Sequence, residues 1–253
     1  MKKKRIIFLL CVASIFYFIQ SPESIASPVF HHPLGDTAKD NQLTKKEKKE
    51  GWKLLFSGNS LDGFRTYKNE PGSWSVNGGV ICSEKPVTNH NPDLITNDEY
   101  ENFELAVDWK ISPQGNSGIM YMVTEQYDAA YESGPEYQLI DDKGFPEKIQ
   151  DWQTTGAAYA IKPPALYAAN TPGEWNHTVI IVNKGHVEHW LNGQKVVEYE
   201  LWSDAWKKAK GEGKWKDDAG YGMSKTGHIA FQASHSNVSN TGVCFKNVKI
   251  KLL

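Results

Sequence analysis

From Trp52 onward the apolar positions of this chain recur at every second residue rather than every third or fourth. The segments "WKLLF", "SWSVNGGVICS", "FELAVDWKI", "GIMYMVTE", "EYQLID", "HTVIIVNKGHVEHWLNGQKVVEYEL", "GHIAFQ" and "GVCFKNVKIKLL" are short, aromatic and β-branched, and turn residues separate them. That alternation is the mark of strands with one covered face. Asn77-Gly78 and Asn192-Gly193 fit two-residue hairpin turns, whose central positions need positive φ. Many short strands at even spacing predict an all-β sandwich or barrel with short peripheral helices. Two segments break the pattern. In "LTKKEKKEGW", Thr44 is placed as N-cap, Glu47 completes a capping box three residues on, and Gly51 stops the helix. In "SDAWKKAKGEGKWKDDAGYG", Ser203 caps a second short helix, Gly211 is expected to end it, and a Gly-rich loop follows. There is no internal repeat and no low-complexity tract.

The N-terminus follows a different grammar. Lys2, Lys3, Lys4 and Arg5 precede an apolar run from Ile6 to Ile19, too short to span a bilayer comfortably, and Ser24-Ile25-Ala26 is a small-x-small cleavage signal. Residues 1–26 are therefore expected to be a signal peptide rather than an uncleaved anchor, residues 27–43 a flexible lead, and 44–253 one domain. Leu9-Leu10 before Cys11 lack the small residues of a lipoprotein signal, which favours an exported, periplasmic or secreted protein over a lipoprotein. Losing residues 1–26 removes four basic residues and one acidic one, taking the formal net charge from −2 to −5. That balance argues against nucleic acid or an anionic membrane surface as partner. The cysteines left, Cys82 and Cys244, admit two readings, a disulfide in an oxidising compartment or two separate buried thiols. The absence of a Cys-x-x-Cys pair or Cys/His cluster gives no indication of structural zinc.

The chemistry-bearing stretch is "SGPEYQLIDDKGFP". Successive strand side chains point to opposite faces, so Glu136, Gln138 and Ile140 share one face and Tyr137, Leu139 and Asp141 the other. Glu136 and Gln138 stand roughly 6.6 Å apart along the strand. A carboxylate beside an amide on one face suits acid–base work next to a bound hydroxyl. A lone strand Glu is nevertheless more often merely solvated. By the same rule Met120 and Met122 face one way and Ile119, Tyr121 and Val123 the other; His189 lies with Val187 and Leu191, opposite Glu188 and Trp190. Trp109, Tyr121, Trp152, Trp175 and Trp190 crowd the neighbouring segments; such rings stack on sugars when they face a cleft and pack the core when they do not.

The ordered set "GWKLLFSGNSLDGF", "GNSGIMYMV", "GPEYQLIDD", "TGAAYAI", "GEWNHTVI", "VEHWLNGQKVVEYE" and "GHIAFQ…VCFKNVKIKLL" resembles the bacterial DUF1080 family, the 3-keto-disaccharide hydrolase domain, across Leu43 to Leu253. The resemblance implies a concanavalin A-like jelly-roll sandwich of two antiparallel sheets, and action on glycosides oxidised to a ketone at sugar C3. It implies Glu136, His189 and His235 as the acid–base groups, with Asn116, Tyr121, Gln138, Asp141, Trp152 and Trp190 as substrate contacts and a divalent metal ion as a possible cofactor. Relatives often carry Leu-Gln-Asp-His-Gly after the penultimate strand; here Phe231-Gln232-Ala233-Ser234-His235-Ser236 lacks the Asp and shifts the His by one. Beside elimination through C2 proton abstraction stand two other readings. One is direct hydrolysis by two carboxyl groups, for which Asp141 reaches the Glu136 face only through a β-bulge. The other is a non-catalytic carbohydrate-binding sandwich.

Overall fold

The computed structural model describes residues 39–83, 91–235 and 242–253, so the expected signal peptide, Cys11 and most of the lead lie outside the described residues. The first helix, α1 (Lys45–Lys49), has the cap that the sequence predicts: Thr44 Oγ1 accepts from the Glu47 N–H at 3.1 Å and Glu47 Oε2 from the Thr44 N–H at 2.8 Å. Gly51 follows at φ +86°, the left-handed value that a glycine tolerates after a helix.

The described strands run β1 (Lys53–Leu54), β2 (Phe64–Thr66), β3 (Trp74–Asn77), β4 (Val80–Ser83), β5 (Leu94–Thr96), β6 (Phe103–Ile111), β7 (Asn116–Val123), β8 (Glu136–Ile140), β9 (Asn176–Asn183), β10 (His186–Leu191), β11 (Gln194–Glu200), β12 (His228–Phe231) and β13 (Val243–Leu252). The second helix, α2 (Asp204–Glu212), stands between β11 and β12; Ser203 caps it as expected, but it runs through Gly211 and ends at Gly213. The strands form two antiparallel sheets, the expected all-β sandwich. The larger has the order β11-β10-β9-β6-β13-β4-β3 with β1 beside β13, and the smaller β2-β5-β12-β7-β8.

The core lies between the sheets. Leu105, Val107 and Trp109 of β6, Ile180 and Val182 of β9 and Phe245 of β13 meet Ile119 and Tyr121 of β7, Tyr137 and Leu139 of β8, and Phe231 of β12. Each such side chain, removed from water, contributes about 1.5–3 kcal/mol before its entropy cost. Cys82 of β4 and Cys244 of β13 sit directly opposite one another and form a disulfide, Cα–Cα 4.2 Å. The reading as separate thiols is thereby corrected. The bridge closes a loop between residues 162 apart in sequence, which in the chain-entropy picture is worth about 4–5 kcal/mol.

One break in the alternation matters for the site. Between the β12 partners His228↔Val123 and Ala230↔Met120, β7 carries an extra residue, and Met122 takes φ 57°. This bulge turns Met122 into the core with Ile119 and Tyr121 and leaves Val123 with Met120 in a second small cluster. Strict alternation, which paired Met120 with Met122, fails for that reason.

Candidate active site

β7 and β8 pair in the register Asn116↔Ile140, Gly118↔Gln138 and Met120↔Glu136. Opposed residues of an antiparallel pair share a face. Asn116, Gly118, Glu136 and Gln138 therefore lie on the face of the smaller sheet turned away from the core. That face is covered. The segment Ala157–Tyr159 hydrogen-bonds along β8, with the Gln138 N–H donating to Ala157 O and the Tyr159 N–H to Glu136 O. The turn Lys214–Asp217 after α2 closes over it, and Trp215 stacks on Tyr221 at 4.1 Å and donates from Nε1 to Tyr159 O at 3.1 Å.

The result is a cavity of about 190 Å³ lined by Asn116, Tyr131, Glu136, Gln138, Tyr159, Lys214, Trp215, Gln232 and His235. Its floor is polar and its wall aromatic. Gln138 Nε2 donates to Asn116 Oδ1 at 2.9 Å, which leaves the Gln138 oxygen and the Asn116 amide N–H₂ without a partner among the described residues, one acceptor and one donor for a ligand. Lys214 Nζ lies 4.5 Å from the ring centres of both Tyr159 and Trp215.

Glu136 is only 4% exposed, yet its carboxyl makes no hydrogen bond among the described residues. It lies flat across β7 where Gly118 has no side chain: a Cβ there would meet Glu136 Oε1 at 2.0 Å. Burial pushes its pKa up to about 8; Lys214 pulls the other way, and Asp93 adds to the rise. An unpaired carboxyl held at a buried position costs stability that a packing role would not require, and such groups concentrate at functional sites.

The structure separates the residues grouped by the sequence. Asn116, Glu136, Gln138 and His235 meet in the cavity, with the His235 N–H donating to Asn116 O at 2.9 Å. His189 does not join them. It is fully buried between the sheets, its Nδ1–H donating to Gly156 O at 3.0 Å while Nε2 accepts from the Tyr121 hydroxyl at 3.1 Å. Gly156 O can only accept, which fixes the tautomer, and burial lowers the imidazole pKa to about 4. Tyr121, taken as a sugar contact, belongs to the same core network, bonded also to the Tyr199 hydroxyl at 2.6 Å. Both occupy core-facing positions, Tyr121 on β7 of the smaller sheet and His189 on β10 of the larger, so their side chains meet between the sheets.

Trp190 donates to Glu188 at 2.7 Å, on the side of β10 opposite His189 and away from the cavity. Asp141 accepts from the N–H groups of Gln114, Lys143 and Gly144, at 2.9, 3.2 and 2.8 Å, and so knots the turn after β8. Trp152 stands behind the wall, its ring 5.4 Å from that of Tyr159. As for a divalent ion, the cavity offers Glu136, His235 and amide oxygens. Among the described residues the three-residue grouping of metal-ligand type lies elsewhere, at His186, Glu188 and Glu198, where Lys195 already pairs with both carboxylates.

Sequence reasoning missed Asp93, Lys214, Trp215, Tyr131, Tyr159 and Gln232. Asp93 precedes the three-residue β5 and lies in the row of Gln232 and Gly118; its Oδ1 accepts from the Ala233 N–H at 3.0 Å, and burial raises its pKa to about 7. A carboxyl thus reaches Ala233, where the resemblance finds an Asp missing. Lys214 and Trp215 had an available signal, since they sit in a long insertion that interrupts the strand pattern, and such insertions carry function.

The family described as the 3-keto-alpha-glucoside-1,2-lyase-like domain is matched by residues 51–251. A 3-keto-disaccharide hydrolase of Bacteroides thetaiotaomicron is 29% identical over 81% of this chain and 79% of its own. A provisionally assigned glycosyl hydrolase of known structure from Parabacteroides distasonis is 43% identical, with a TM-score of 0.78 over 85% of this chain and all of the other. A second from the same organism is 29% identical, with a TM-score of 0.63 over 80% of this chain and 99% of its own.

Proposed function

This chain belongs to the 3-keto-alpha-glucoside-1,2-lyase-like domain family, and from that membership we propose that it is an exported carbohydrate-active enzyme cleaving the glycosidic bond of 3-keto glycosides. The observation that carries this reading is Glu136, an unpaired, buried carboxyl whose pKa stands near 8, on the floor of a sugar-sized polar cavity. A ketone at C3 acidifies the C2 proton. Glu136 takes that proton, the C2–H electrons form the enolate, and the Lys214 ammonium offsets the charge that develops on the C3 oxygen. The enolate collapses to a C1=C2 double bond as the C1 substituent departs, and the leaving oxygen takes a proton from His235 at the cavity. Water added to C1, with the proton returned to C2, completes hydrolysis; release of the unsaturated sugar completes elimination. Asn116 and Gln138 hold ring hydroxyls, and Tyr131, Tyr159 and Trp215 cover the apolar ring face. The Cys82–Cys244 disulfide supports the export part of the reading, since such bridges persist in oxidising compartments.

The test is turnover of a chromogenic 3-keto glucoside and of its unoxidised parent, each with and without chelator. The proposal expects the keto substrate to be cleaved and the parent to be almost untouched. Asp93 favours one alternative. Its backbone stands two strands from Gly118, roughly 10 Å away, which lets its carboxyl and that of Glu136 fall within the 5–9.5 Å of a direct two-carboxyl hydrolysis. Comparable rates on both substrates would select that alternative, and no turnover of either would leave a binding module.

A further inference from the structure

A second concave site lies on the other side of the insertion that closes the active cavity. It is a groove of about 530 Å³, formed by α2 and the loop that leads toward β12. That volume is within the usual range for small-ligand sites, about 300–1,000 Å³. Two indoles and four lysines give it its character. The ring of Trp202 is fixed in place by its Nε1–H donating to Gly222 O at 2.8 Å. Trp206 is 4% exposed, and its Nε1–H has no hydrogen-bond partner among the described residues. Around them converge Lys207, Lys210, Lys216 and Lys225, and Met223, 55% exposed, forms an apolar lip.

No carboxylate is among the groove-lining residues, although the chain as a whole is acidic. Lys207 has only the fully exposed Asp204 at 3.8 Å, and Lys210 donates to Ala219 O at 3.2 Å. Lys216 and Lys225 form no ion pair among the described residues; the Lys225 ammonium stands 5.9 Å from the Trp202 ring centre. Solvated surface lysines need no fixed aromatic floor. Lysines gathered over one, with Lys216 and Lys225 in no ion pair among the described residues, match a ligand with an apolar ring face and an anionic substituent.

We propose that this groove binds an acidic monosaccharide unit, a uronate or a sulfated sugar, with its ring against Trp202 and its anionic group between Lys216 and Lys225. The site shares one strap with the active cavity: Lys214 and Trp215 face the cavity and Lys216, in the same turn, faces the groove. It does not rest on the role given to Glu136.

The experiment is a titration of sodium D-glucuronate into the ¹⁵N-labelled protein, read on the indole N–H resonances, with those of Trp202 and Trp206 assigned from W202F and W206F. Saturable shifts of these two resonances are expected, with binding weakened at least about tenfold in a Lys216→Ala/Lys225→Ala variant, the scale of losing hydrogen bonds to a charged group. Glucose 6-sulfate should shift the same resonances, and glucose should not. E136Q should bind glucuronate unchanged, which separates this site from the active cavity. Equal shifts from glucose or from inorganic sulfate, or unchanged binding in the double lysine variant, would overturn the proposal.

Discussion

Glu136 sits where a carboxylate is least favoured, under an aromatic wall with no hydrogen-bond donor committed to it, and that placement makes it testable twice. As the base, it should cost on the order of 10²-fold or more in rate when changed to Gln, the usual scale of acid–base help. Its pKa in the folded chain, about 8, stands above the usual 4.5, so the folded state holds this proton more tightly than the unfolded chain. The contribution favours folding fully below the usual value and is lost as pH rises through about 8. Thermal melts of Glu136→Gln should therefore show little change at pH 5 and a gain of several degrees over wild type at pH 9. A fall in melting temperature at pH 9 would contradict the burial argument.

Gly118→Ala should also lose activity while keeping every acid–base group, because the new methyl occupies the place where the Glu136 carboxyl lies. His189→Ala should behave as a core deletion. A cost of about 2–4 kcal/mol in denaturant melts is expected from the cavity and the orphaned Gly156 carbonyl. Its burial as a neutral imidazole stabilises fully above pH 6.5, and that contribution is lost as pH falls toward about 4. Strand parity identified Glu136 and Gln138 correctly as partners on one face. It did not say which sheet β10 joins or which face of β7 meets the cavity, and so it did not show that His189 and Tyr121 face the core.

Elements explain the rest of that record. Long alternating strands and capped helices were legible because local chemistry specifies them: β6, β9 and β10 by their pattern, α1 by its capping box. β2 and β5, three residues each, carry too few positions to show a period, and Asp93 was lost with them. The bulge at Met122 is set by pairing with β12, a contact between residues distant in sequence. The strap after α2 brings Lys214 and Trp215 over the sheet, and only tertiary packing shows which of its side chains point inward. Of the wall residues Tyr131 is the most exposed, at 38%, so Tyr131→Ala should raise KM several-fold with kcat nearly unchanged, the worth of one aromatic contact. The pairing of β4 with β13 carries its own test. Peptide mapping after alkylation without reductant should find Cys82 and Cys244 unlabelled, and reduction should lower stability by about 2–5 kcal/mol.

At the scale of the molecule the two faces of the smaller sheet divide the work. The inner face buries the aromatic core and the His189 network, and the outer face holds polar groups under a lid made by two excursions from the strand pattern. Rigid strands on one side and an ordered core on the other keep Glu136, Asn116 and Gln138 in fixed relation, which proton transfer requires. The central claim is that this cavity removes the C2 proton of a 3-keto glycoside. It is tested most directly with substrate deuterated at C2 and turned over in ordinary water. The account predicts a primary isotope effect on turnover and loss of the deuterium from the sugar product, both absent with Glu136→Gln. Equal rates for the two isotopologues, with the deuterium retained at C2, would contradict it.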